Sequence, residues 1–250
     1  PELHGIRTSE IVGLLVKATE SGVEASERLL VMHLEKNPKD FGRHYLYANV
    51  LNQLEKYDEA EAVAKSIVES PQQTVSLEAI EQFYLRPVAA QFLVELTATQ
   101  ALNSEDDIER NAFIDEAKEY REVLADLVSN NIANQGLVYS NGIIALAEKR
   151  YSEASASLEE VISKNSGSSA QRYRQTAIAL AEIGSTGLAI ERLKSAMEIE
   201  PSNLLNYLMK ARLEIQISDF RSAKTTLGTL TLKAREIPEV IELLDVIAMR

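Results

Sequence analysis

The feature that most restricts this 250-residue chain is a motif recurring at a fixed interval. Ala154, Ala189 and Ala223 stand 35 and 34 residues apart, and each is followed four positions later by a leucine: Leu158, Leu193 and Leu227. Three positions further come Val161, Ala196 and Leu230. Tyr57, Tyr151 and Phe220 each precede an alanine by three residues, at Ala60, Ala154 and Ala223. Steps of three and four place these side chains on one face of a helix. A period of this length means that one supersecondary unit is copied and stacked. Two helices approach closely only where one of them offers a small side chain, so alanine marks the crossing points and leucine fills the space beside them. Proline cannot continue a helix interior, so Pro201 ends the unit containing Ala189. Ser202 or Asn203 then caps the next helix.

On these residues the chain resembles the tetratricopeptide repeat family, whose units are antiparallel helix pairs of about 34 residues. Unit 170–203 carries Ala177 in its first helix, Ala189, Leu193 and Ala196 in its second, and Pro201 at its close. Unit 135–168 matches with Gly142, Ala154 and Leu158, unit 204–237 with Ala211, Ala223 and Leu227, and unit 41–74 with Ala48 and Ala60. A weaker unit, 7–40, has Pro38 at the closing position. The resemblance implies an all-α, right-handed solenoid of antiparallel helix pairs, with around fourteen helices over this length.

The chain departs from that pattern in its middle. His44 and Tyr207 stand where the family places large aromatic residues, and there is no tryptophan. Residues 73–133 do not fit the 34-residue frame. They read as a helix over 75–85, a second opening with Pro87 at its first position, and a long helix capped by Ser104 or Asp106. Phe113, Ala117, Tyr120, Leu124 and Leu127 form the apolar face of that long helix. Pro238 opens a last helix with a broad apolar side, either a cap or half of a further repeat. The expected organisation is therefore repeats over 1–72, an irregular helical segment over 73–133, three regular units over 134–237 and a terminal helix over 238–250. The chain begins with Pro1 rather than methionine, and the expectation is a segment of a longer protein.

Charge and composition limit function. Net charge is −12, and all of the excess lies in the first half: residues 1–130 hold 24 acids and 12 bases, residues 131–250 hold 14 of each. Nucleic-acid binding depends on clustered Lys and Arg, so this balance argues against it. The acidic face that includes Asp115, Glu119 and Glu122 reads as solvated, with docking of a basic partner as the alternative. The absence of cysteine removes disulfides, thiolate metal sites and cysteine nucleophiles, and it fits any compartment. No apolar run approaches the roughly 20 residues of a membrane span.

No constellation suited to catalysis is visible. His4, His33 and His44 are not at metal-ligand spacing, and His33 and His44 fall where repeats pack. The run Glu105–Glu109 lacks the alternating ligands and glycine of a calcium loop. No enzyme activity, cofactor or metal is expected. The expected function is protein binding, because the resemblance implies a concave face lined by the first helix of each pair. In unit 41–74 the lining positions hold Tyr45, Asn49, Asn52 and Gln53. Later units place Gln171, Arg174, Gln175, Arg212 and Gln216 there. The family's best-known peptide site clamps a terminal carboxylate, but Tyr139 and Ile143 occupy two of the clamp positions in unit 135–168. Arg174 and Arg212, at inner positions of successive units, are expected to face one concavity and bind an acidic side chain or free C-terminus. Two other roles stay open: a chaperone or assembly factor in a secretion or envelope system, and the regulatory arm of a larger enzyme or signalling protein. Self-association is open as well.

Overall fold

In the described residues of this computed structural model (20–70, 77–129, 134–164, 168–231 and 234–249) there are twelve α-helices, one 3₁₀ turn and no strand. The helices are α1 (Glu20–Lys36), α2 (Phe41–Gln53), α3 (Tyr57–Glu69), α4 (Leu77–Asn103), α5 (Asp107–Leu127) and α6 (Gln135–Ala147). They continue as α7 (Tyr151–Lys164), α8 (Ala170–Glu182), α9 (Thr186–Ile199), α10 (Leu204–Gln216), α11 (Phe220–Gly228) and α12 (Pro238–Ala248). Chain contacts divide them into two compact units, Pro1–Ser140 and Asn141–Arg250, with the division falling inside α6.

The N-terminal unit builds its core from α2, α3, α4 and α5. Ala48, Leu51, Ala60, Ala64, Ile67, Ala89, Leu93, Leu96 and Leu124 are buried together. The expected helix break at Pro87 is not there, and α4 runs through it. Proline removes one backbone hydrogen bond and crowds the preceding turn, at a cost of about 3 kcal/mol. Downstream burial of Ala89, Ala90, Leu93, Val94, Leu96, Ala98 and Ala101 offsets that cost. Arg86 Nε also ties the helix to the Val68 carbonyl of α3 at 2.8 Å. This merger accounts for one of the helices missing from the expected fourteen, and the stretch before Glu20 lies outside the described residues. Of the two candidate caps for α5, Asp106 is the one used: its carboxylate accepts from the Ile108 and Glu109 amides at 2.7 and 3.0 Å. Those backbone bonds hold its pKa below the ordinary aspartate value. The expected apolar face of α5 is present, with Ala117 and Leu124 buried and Phe113, Tyr120 and Leu127 half-buried. Asp115, Glu119 and Glu122 are exposed.

In the C-terminal unit the repeat is regular. Ala154, Leu158, Val161, Ala189, Leu193, Ala196, Ala223 and Leu227 are all at most 1% exposed. Gly142 shows the close approach directly: a Cβ there would lie 3.0 Å from Leu158. Asn203 caps α10, its side chain accepting from the Leu205 amide at 3.1 Å. Pro238 opens α12 at its first turn. Ala196→Leu should overpack its crossing and cost about 1–3 kcal/mol, read by urea denaturation. A change of a few tenths of a kcal/mol would refute the packing.

The turn inside a helix pair is made the same way each time. Glu55, Lys149, Gly184 and Ser218 have φ between 59° and 79°, directly after the C-caps of α2, α6, α8 and α10. The amide of the next residue reaches back to the helix, as in Arg150 to Ala145 at 2.8 Å and Ser185 to Leu180 at 2.8 Å.

Candidate binding face on the C-terminal unit

The two first helices of the C-terminal unit's complete pairs, α8 and α10, are covered almost all round. On α10, Asn206, Leu208, Lys210, Ala211 and Glu214 are buried. Only Leu205, Arg212 and Gln216 are exposed within the helix, with Met209 half-buried among them. These four occupy positions i, i+4, i+7 and i+11, a single narrow stripe. On α8 the residues one repeat earlier, Gln171 and Ile178, are half-buried and Glu182 is exposed. Gln175, one repeat before Met209, is buried, so the stripe is open along α10 and only partly open on α8. Leu205 and Met209 divide their roles: Leu205 is 48% exposed, while Met209 also packs against the cluster of Ala177, Leu180 and Leu193.

The two arginines have different surroundings. Arg212 is exposed on the stripe and pairs with no acid among the described residues. Arg174 is used inside the fold. Its guanidinium donates to Glu200 Oε2 at 2.7 Å and to Asn206 Oδ1 at 3.0 Å. Asn206, fully buried, donates in turn to the Ala196 and Glu200 carbonyls at 3.2 Å. Arg174 thus clasps α8 to the α9–α10 junction, while Arg212 stays exposed on α10. Gln175 is 5% exposed, Gln171 half-buried and Gln216 exposed. Sequence reasoning placed all of these on one helix side but did not see that Glu200, 26 residues away, would claim Arg174.

The other candidate stripe, in the N-terminal unit, is also partly occupied. Tyr45 meets Phe92 edge-on, with ring centroids 6.0 Å apart. Asn49 donates to the Tyr45 carbonyl at 2.8 Å, a bond within its own helix. Asn52 is half-buried and Gln53 exposed. The histidines serve structure: His33 Nε2 donates to Asp40 at 2.9 Å and His44 Nε2 to the Pro38 carbonyl at 3.1 Å. His4 lies outside the described residues.

Two polar clusters elsewhere are self-contained. Between α3 and α5, the Tyr120 hydroxyl donates to Glu61 at 2.6 Å, and Lys65 pairs with Glu61 and lies 5.4 Å from the Tyr120 ring centroid. Burial pushes the Glu61 carboxyl up, but the hydrogen bonds from Lys65 and Tyr120 outweigh it and its pKa is lowered. Burial, then the Glu61 charge, raises that of Glu116. Burial and the bond to Glu61 likewise raise the Tyr120 pKa. Beside the α6–α7 turn, a depression of about 340 Å³ is lined by Lys149, Arg150, Tyr151, Ser152, Glu153 and Ile183. The Arg150 guanidinium there is already bound to Glu148 and Glu153. Among the described residues no three of His, Asp and Glu gather as a metal ion would require, and no helix is long and apolar enough to cross a membrane.

The sequence matches no family model and no curated protein. Solved structures do match. The chain is similar to TTC0263, a thermophilic TPR protein of Thermus thermophilus, at 17% identity and a TM-score of 0.60, over 83% of this chain and 99% of that one. The fold is that of the tetratricopeptide repeat proteins. It is similar as well to a chain of the APC/C hetero-tetramer Cut9–Hcn1, at 12% identity and a TM-score of 0.62. That match covers 90% of this chain but only 39% of the other. Within the tetratricopeptide fold, α2–α3, α6–α7, α8–α9 and α10–α11 are the regular helix pairs, and the protein is an all-α helical-repeat solenoid.

Proposed function

We propose that the protein is a noncatalytic interaction scaffold, and that the stripe on α8 and α10 holds an extended segment of a partner protein carrying an acidic group. One observation carries this reading: the first helices are nearly free of acids in a chain of net charge −12. Helices α2, α6, α8 and α10 together contain two of the chain's 38 acidic residues, Glu182 and Glu214. Glu214 is buried against Lys210. The stripe therefore offers an exposed Arg212 beside apolar and amide side chains, with Glu182 at its α8 end the one exposed acid on it. A guanidinium there binds a carboxylate through two parallel hydrogen bonds. Gln171 and Gln216 both donate to and accept from a backbone.

The test is photo-crosslinking in extract of the source cells, with the reactive residue at Met209 or, as control, at exposed Lys194 on α9. The expected result is a defined adduct from Met209 that Arg212→Glu abolishes. Arg212→Glu should leave folding stability within about 0.5 kcal/mol, as exposed substitutions usually do. Equal adducts from Lys194, or adducts indifferent to Arg212→Glu, would overturn the reading.

A further inference from the structure

The joint between α3 and α5 is short of one proton. Glu61 and Lys65 stand one turn apart on α3, and Glu116 and Tyr120 one turn apart on α5. The four side chains meet. The Tyr120 hydroxyl lies 2.6 Å from Glu61 Oε1 and 3.1 Å from Glu116 Oε1. Lys65 pairs with Glu61, and its Nζ is 3.8 Å from the same Glu116 oxygen. A phenol has a single O–H to donate. It serves the shorter contact, to Glu61. With Glu116 ionised, the 3.1 Å contact therefore sets a carboxylate lone pair against a phenol lone pair, and two carboxylates face one ammonium.

We propose that the joint is a clasp closed by one proton: Glu116 binds it and donates to the Tyr120 oxygen, completing a chain from Glu116 through Tyr120 to Glu61, whose carboxylate Lys65 holds. The proton comes from solvent, which reaches the 34% exposed Glu116 side chain. A phenol oxygen accepts as well as donates, so Tyr120 is then used in both senses. The surrounding charges do not stand in for this proton. Glu69, one turn further along α3, adds to the negative side. On α5, Lys118 pairs with Asp115 and Arg121 with Glu122, and Glu119 is exposed. Helix α4 packs against both helices; its Arg86 donates to the Val68 carbonyl, and its Glu95 is a further acid. Helix α2 packs on α3, with Arg43 beside Asp40 and His44 on the Pro38 carbonyl.

Burial, then the Glu61 charge, holds the Glu116 pKa above the ordinary glutamate value, while at Glu61 the bonds from Lys65 and Tyr120 outweigh burial. Glu116 is therefore the carboxyl that takes the proton first. A carboxyl with a raised folded pKa contributes stability that is present below its unfolded pKa and lost as pH rises through the folded one. Glu61, with a lowered pKa, contributes in the opposite sense. The clasp is closed in mild acid, between the two folded pKa values, and opens on the alkaline side.

The test is a carbon-13 NMR titration of the glutamate carboxyls in the full chain, joined to urea denaturation of Glu116→Gln. Glu116 should titrate above the ordinary glutamate value of about 4.3. Tyr120→Phe keeps the ring but removes the acceptor, and should lower that midpoint by about half a pH unit or more. An amide at this position donates without titrating. Glu116→Gln should thus raise the urea midpoint near neutral pH and lose the advantage by about pH 4, where the wild-type carboxyl is protonated as well. A Glu116 midpoint at or below about 4.3 would overturn the clasp. So would a midpoint indifferent to Tyr120→Phe, since burial and the Glu61 charge alone would then set it. An effect of Glu116→Gln that is the same at every pH would overturn it too, as a packing change unrelated to the proton.

Discussion

Replacing Glu214 by alanine should cost about 3–5 kcal/mol of folding stability, the largest effect expected of any single substitution in this protein. Glu214 and Lys210 lie one turn apart on α10 with side chains only 4% and 10% exposed. Lys210 Nζ donates to Glu214 and, at 2.7 Å, to Thr226 Oγ1 of α11, whose hydroxyl donates to the second Glu214 oxygen at 2.7 Å. The triangle is closed, so removing one corner strands a charge where water does not reach it. Removing both charges does not. Lys210→Met with Glu214→Leu should therefore be close to neutral or stabilising, because the desolvation of both ions disappears with them. Urea denaturation of the two single variants and the double separates these cases. Loss of less than about 1 kcal/mol in Glu214→Ala would mean that the site is hydrated. The triangle faces away from Leu205, Arg212 and Gln216, so peptide affinity of the folded double variant should match the wild type.

How much of this could be read from the sequence varies with the range of the interaction. Packing positions were legible because the repeat imposes them locally: Ala189, Leu193 and Ala196 announce a crossing by size and spacing, and each is buried. The caps were legible only to a choice of two, Ser104 or Asp106 and Ser202 or Asn203, and the hydrogen bonds pick Asp106 and Asn203. Pro87 predicts a break on its local cost alone, and the burial of the residues that follow it carries the helix through. The turns inside the pairs were hidden, since three of the four left-handed positions hold Glu55, Lys149 and Ser218 instead of the glycine such a backbone favours. The candidate site was half legible. Helical periodicity placed Arg174 and Arg212 on the same side of their helices, but their fates depend on distant residues. Glu200 and Asn206 take Arg174; no described acid takes Arg212.

Leu193→Ala should cost about 2–5 kcal/mol, with the size set by how its neighbours respond. Leu193 is 0% exposed in a cluster with Ala177, Leu180 and Ala189. Alanines have no rotamers with which to fill a cavity, so two of those three neighbours cannot relax into it. Met209, half-buried at the edge of the same cluster, has three flexible bonds and is the neighbour best able to move inward. A control on the same helix is Leu188→Ala: at 54% exposure it should change stability by no more than about 0.5 kcal/mol. If Leu188→Ala and Leu193→Ala cost the same, the assigned register of α9 is wrong. The movement of Met209 is read by a double-mutant cycle. Where Met209 fills the space, Leu193→Ala combined with Met209→Ala costs more than the sum of the two single changes, by about 0.5 kcal/mol or more. Additive costs would show that the cavity stays open and that the single change lies near the upper end of the range. Met209 also belongs to the open stripe, so its withdrawal would remove apolar surface beside Arg212. In that case Leu193→Ala, which touches no ligand, would still weaken peptide binding, and the core of α9 would be tied energetically to the binding face of α10.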